Sequence, residues 1–160
     1  MSVTPRVVVV HRRTELDDLL ARHGTRGQAA FFLTSRGRSL DEVDLRHNAV
    51  RDALGTVGAA IPVDWRRATV ERADLDRFLF GPEDIVAVVG QDGLVANVAK
   101  YLDRQPVIGV DPEPGRNAGV LVQHGPADFA EVLRGVSEGV AAYESRAMVE
   151  NATHTLTSIV

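Results

Sequence analysis

No cysteine occurs among the 160 residues, which excludes a disulfide framework, a thiolate metal site and thiol redox chemistry. An excess of positive charge is also missing. The 18 lysines and arginines face 22 acidic residues, giving a formal net charge of -4, and a chain of that sign has no general attraction to polyanions. Nucleic acid is therefore not an expected partner. No apolar run approaches the roughly 18 residues of a membrane-spanning helix, and the N-terminus has no apolar segment of signal-peptide length. Histidines 11, 23, 47, 124 and 154 show no close metal-ligand spacing, so no structural metal is expected. The expectation is a soluble, cytoplasmic chain with no membrane partner. Internal repeats and low-complexity segments are absent.

With 44% hydrophobic residues, 25% charged residues and 14 glycines, the chain can bury the core of one globular domain. Arg6 to Val10, "RVVVV", is a β-branched run apolar on both faces, as in a strand of a parallel sheet covered on two sides. Thr14 then makes an N-cap-like pattern ahead of a helix carrying Leu16, Leu19 and Leu20, which ends at Gly24. Thr25 to Gly37 fits either a helical turn or a strand. Ser39 to Glu42 reads as a capping box, and the apolar positions from Leu40 through Val57 to Ile61 recur at helical steps until Pro62. His47 lies on that apolar face and reads as a hydrogen-bonded core residue. "RRATVERA" predicts a short strand, "ADLDRFLF" a helical turn, and Asp84 to Val89 a further strand.

After Val89 comes Gly-Gln-Asp-Gly. A helical face follows through Val95, Val98, Ala99 and Leu102, then a strand in "PVIGV", a loop in "DPEPGRNAG" and a short strand in "VLVQ". Pro126 suits a helix start, and Phe129, Val132, Leu133 and Val136 carry that helix to about Tyr143. Repeated alternation of strand and helix makes the fold class α/β, a three-layer α/β/α Rossmann-like parallel sheet. Ser145 to Val160 reads as extended tail.

In an open parallel sheet, ligands collect at the carboxyl ends of the strands, where the Gly90 to Gly93 loop is expected. Glycines there allow tight turns and a close approach of main-chain N–H groups, and the next helix aims its positive end at an anion. Asp92 reads in two ways. It is either a turn former or N-cap, or a general base that takes a proton from an attacking hydroxyl in phosphoryl transfer. Arg12 and Arg13, just past the first strand, are further candidates for the ligand side.

"DIVAVVGQDGLVANVAKYL" followed by "QPVIGVDPEPGRNAGVLV" resembles the N-terminal domain of the NAD kinases, where a buried strand runs into a Gly-Gly-Asp-Gly-Thr loop. Diacylglycerol kinases and phosphofructokinases share that loop. The resemblance implies a nucleotide-binding α/β domain over residues 1–144, with 145–160 as a tail or the start of a β-rich second domain. It implies phosphorylation of the adenosine ribose 2′-hydroxyl of NAD to give NADP, with Mg²⁺ and ATP or another phosphate donor, and a homo-oligomer. Asp92 matches the catalytic acid, while Gly90, Gln91, Gly93, Asn97, Asp111 and Asn117 fall at nucleotide-binding positions. Three residues depart from the family pattern: Gln91 replaces the second glycine, Leu94 the threonine and Asp111 the asparagine after the next strand. The family's second domain supplies an asparagine-glutamate motif, which "NATHTLTSIV" lacks. The resemblance therefore implies either a phosphotransferase domain that is incomplete without a C-terminal domain, or a non-catalytic nucleotide-binding or protein-interaction domain derived from it.

Overall fold

The computed structural model describes residues 4–116 and 119–139. Asn117, the expected helix end near Tyr143 and the tail lie outside the described residues. Four strands form one parallel sheet: β1 (Arg6–His11), β2 (Arg66–Glu71), β3 (Asp84–Val89) and β4 (Val107–Val110), in the order β2-β1-β3-β4. Alternate residues of the apolar runs go to opposite faces. Val8, Val10, Val86 and Val88 pack under α4 (Asp92–Ala99), while Val7, Val9, Ile85 and Ala87 pack under α3 (Leu40–Ala60) and α5 (Phe129–Ser137). Helices thus cover both faces, and the expected three-layer α/β architecture is present. Each fully buried valine contributes about 1.5–3 kcal/mol, so these runs dominate what holds the sheet together. Among the described residues, no helix is long and apolar enough to cross a membrane.

The first two helices do not lie on the sheet. α1 (Glu15–His23) and α2 (Arg26–Thr34) pack with the start of α3 around Leu16, Leu19, Ala29, Leu33 and Val43. The open choice at Thr25 to Gly37 resolves to helix α2. Thr14 and Asp17 cap α1 reciprocally: Thr14 Oγ1 accepts from the Asp17 N–H at 3.2 Å, and Asp17 Oδ2 accepts from the Thr14 N–H at 2.9 Å. The capping box expected at Ser39 is only half formed. Ser39 Oγ accepts from the Asp41 N–H, but Glu42 turns to Arg46 one turn on, an i,i+4 pair that competes for the same carboxylate. His47 is mostly buried, with Nδ1 at 2.7 Å from Thr14 Oγ1, so it ties α3 to the cap of α1.

Ion pairs tie this helical lobe together. Arg38 bonds Glu15, and Arg26 bonds Asp44; these hydrogen bonds hold both carboxyls below their ordinary values. A group whose pKa is lower folded than unfolded contributes stability above its unfolded value and loses it as pH falls through the folded one. The protein is therefore expected to melt at a lower temperature at pH 3 than at pH 7. An Arg38→Ala variant should show a smaller pH dependence, and an identical dependence would remove the Glu15 pair as a cause.

The "VLVQ" strand does not form. Among the described residues, its neighbourhood makes one isolated bridge to the sheet, Val110 with His124. Residues Gly119 to Val122 instead cross over Gly109 as a strap. A Cβ at Gly109 would lie 2.3 Å from the Leu121 carbonyl oxygen, so only glycine admits this approach. Leu121 and Val122 are buried in the core beneath α4, and their N–H groups need acceptors from somewhere other than a neighbouring strand.

Candidate functional site

The sheet order reverses at β1. The connection from β1 to β2 runs through α3 on one face, whereas that from β3 to β4 runs through α4 on the other. Chain leaving β1 and chain leaving β3 therefore diverge, opening a crevice at their carboxyl ends, the position where such sheets bind ligands. A cleft of about 570 Å³ occupies it, walled by residues that follow all four strands: Arg12 to Thr14, Arg72, Gly90 to Gln91, and Pro112 to Glu113. A smaller recess of about 350 Å³ lies on the other side of the glycine loop and is lined by Asp92, Asp111, Arg116 and Gly119 among others. Gly90, Gln91 and Gly93 line both spaces.

The expected site residues are thus divided between two chambers with the loop as their shared wall. Asn97 lines the cleft, while Asp92 and Asp111 line the recess. The loop glycines serve differently from expectation, since neither has a positive φ. A Cβ at Gly90 would come within 2.9 Å of Leu94 Cδ2, whereas one at Gly93 meets nothing within 4 Å. Gly90 thus lies in close contact with the flexible end of the buried Leu94 side chain, and Gly93 faces open space. Gln91 is the exposed N-cap of α4, but its side chain makes no capping bond. Its carbonyl accepts from the Leu94 N–H at 2.9 Å.

Asp92 is the first residue of α4, and its carboxylate accepts three consecutive backbone N–H groups of the strap. Val120 donates to Oδ2 at 2.8 Å, and Leu121 and Val122 both donate to Oδ1 at 3.1 Å. Gly119 makes room for this, because a Cβ there would sit 3.0 Å from Oδ1. An ionised carboxylate offers about four acceptor positions; the described residues fill three, two on Oδ1 and one on Oδ2. Asp111 is 8% exposed. Its Oδ1 accepts from the Glu113 N–H at 2.9 Å, shaping the turn beyond β4, and its own N–H donates to the His124 carbonyl. Among the described residues, no cluster of three or more His, Cys, Asp or Glu side chains could hold a metal ion.

Cleft electrostatics are dominated by arginine. Arg12, Arg13, Arg46 and Arg72 line it beside the carboxylates of Glu15, Asp18 and Glu113. Each carboxylate has its own cation: Glu15 pairs with Arg38, Asp18 with Arg13 at 3.0 Å, and Glu113 with Arg116 at 3.3 Å. Sequence reasoning singled out Arg12 and Arg13 but missed Arg46 and Arg72. The strand expected in "RRATVERA" runs through Arg72, whereas β2 ends at Glu71 and puts Arg72 just past it, as Arg12 follows β1.

The fold and site together define a parallel α/β domain with an arginine-lined cleft at its topological switch point. Comparison of the chain with protein-family models gives no match, and comparison with curated proteins gives none.

Proposed function

We propose that this is an NAD kinase-like phosphotransferase domain. A phosphate donor, ATP with its Mg²⁺ or another phosphate compound, and NAD meet at the Gly90 to Gly93 loop, and Asp92 takes the proton of the attacking ribose hydroxyl. The observation that carries this reading is a glycine loop at one reversal of strand order with a cationic cleft on one side and the Asp92 carboxylate on the other. Asp92 Oδ2 accepts only the Val120 N–H among the described residues, which suits a substrate hydroxyl, since a general base must lie within hydrogen-bond reach of its proton. Phosphoryl transfer otherwise asks for positioning and charge neutralisation, which the arginines supply. The setting proposed is cytoplasmic, where NAD and ATP are both available.

A second reading is favoured by one specific observation: the three strap N–H groups on Asp92. On this reading the carboxylate is structural, and the domain binds a nucleotide without turning it over. Calorimetry with NAD, NADP and ATP, combined with a coupled assay of NADP formation, separates the two. Turnover supports the kinase, binding without turnover supports the second reading, and no binding of any nucleotide rejects both.

A further inference from the structure

We propose that Arg12 and Arg72 form a clamp for the oligophosphate chain of an anionic ligand, with Asn97 positioning Arg72. The β1–β2 register places His11 opposite Glu71, so Arg12 and Arg72 are the next residue beyond paired strand ends. They also line a second cavity of about 290 Å³ together with Asn97 and Tyr101. This cavity shares Arg12, Arg13, Asp18, Arg72 and Asn97 with the main cleft, so the two spaces adjoin at these residues, past the ends of β1 and β2.

Among the four arginines of the cleft, these two stand apart from Arg13 and Arg46, which pair with Asp18 and Glu42. Arg6, Arg13, Arg26 and Arg38 each bond a carboxylate, as surface arginines commonly do. Arg12 has no hydrogen-bond or ion-pair partner among the described residues. Arg72 is held by a neutral acceptor: with its amide oxygen turned to the guanidinium, Asn97 accepts from Nε at 3.1 Å and Nη2 at 3.3 Å. An amide oxygen orients the guanidinium without cancelling its charge, and among the described residues the Nη1–Nη2 edge is left for a ligand. Glu15, Asp18 and Glu113 each have a cation of their own; Glu71, which lines the second cavity, has none among the described residues, and against its single negative charge Arg12 and Arg72 leave a net positive charge for an anion. A guanidinium fork matches phosphate oxygens bidentately, and two such forks match two linked phosphate groups. The clamp rests on the proposed function only for the identity of the nucleotide that carries those phosphates.

The test is calorimetric titration of the full chain with inorganic pyrophosphate, tripolyphosphate and orthophosphate at low salt. Pyrophosphate and tripolyphosphate are expected to bind at least about tenfold more tightly than orthophosphate, and Arg12→Ala and Arg72→Ala each to weaken pyrophosphate by about tenfold or more. Asn97→Asp keeps both arginines but gives Arg72 a carboxylate, and should weaken pyrophosphate similarly. Arg77→Ala, at an exposed arginine beside Asp74 and Asp76, is the control for overall charge and should change nothing. Unchanged affinity in both arginine variants, an equal loss in the control, or orthophosphate binding as tight as pyrophosphate would overturn the clamp. Failure of the kinase reading looks different: NADP would not form, while pyrophosphate would still depend on Arg12 and Arg72.

Discussion

Replacing Asp92 with asparagine is expected to lower NADP formation by at least about a hundredfold, the ordinary contribution of a positioned general base, while leaving most of the strap in place. The side-chain oxygen of asparagine can still accept from Leu121 and Val122, but its NH₂ would face the Val120 N–H, donor against donor. Alanine goes further. It leaves three N–H groups without their acceptor, and because the strap lies near the surface water can replace some of these bonds. The expected cost is therefore about 1–3 kcal/mol, with faster hydrogen exchange at residues 120–122. The two substitutions thus separate the roles of one carboxylate. An asparagine variant that retains full turnover removes Asp92 from the chemistry, and an alanine variant whose strap exchanges no faster removes it from the architecture.

How much of this could be read from the sequence depended on whether local or distant partners decide each residue's fate. β1, β3 and β4 were legible because strands buried on both faces must be apolar throughout, and α3 because its core positions recur at helical steps. α2 stayed ambiguous because "AAFFL" is apolar without a period: Ala29 and Leu33 are buried, whereas Phe31 is 75% exposed. "VLVQ" reads as a strand by composition. Its N–H groups, however, are taken by a side chain 28–30 positions earlier, and no local pattern signals that. Arg72 becomes a site residue only through the β1–β2 register, which sets it beside Arg12. The strand-loop-helix frame of the candidate site was therefore predictable, while its electrostatics, which depend on pairings across the fold, were not.

The largest stability effect is expected at the opposite end of the sheet from the cleft, from Asp84→Ala. Asp84 opens β3 directly opposite Arg6 and is only 3% exposed. Its carboxylate accepts from Arg6 Nε at 2.8 Å and Nη2 at 2.6 Å, and from the Gly81 N–H at 2.7 Å. The hydrogen bond to Asp84 raises the pKa of Arg6, but a guanidinium is protonated at ordinary pH without it and stays charged when its partner is removed. Breaking a buried pair from one side typically costs 3–5 kcal/mol. Arg6 keeps the Leu79 carbonyl at 3.0 Å, lies over the Phe78 ring and is 25% exposed, which places the expected loss near the lower figure, about 3 kcal/mol. Replacing both partners, Arg6→Met with Asp84→Leu, leaves no stranded charge and should cost less than the single change. Urea unfolding measures both, and a double variant less stable than Asp84→Ala would show that the pair stabilises the sheet in its own right. Because β3 delivers its other end, Val89, to the cleft, the folded fraction of Asp84→Ala should bind pyrophosphate as the native chain does. Altered affinity would mean that the two ends of the strand are coupled.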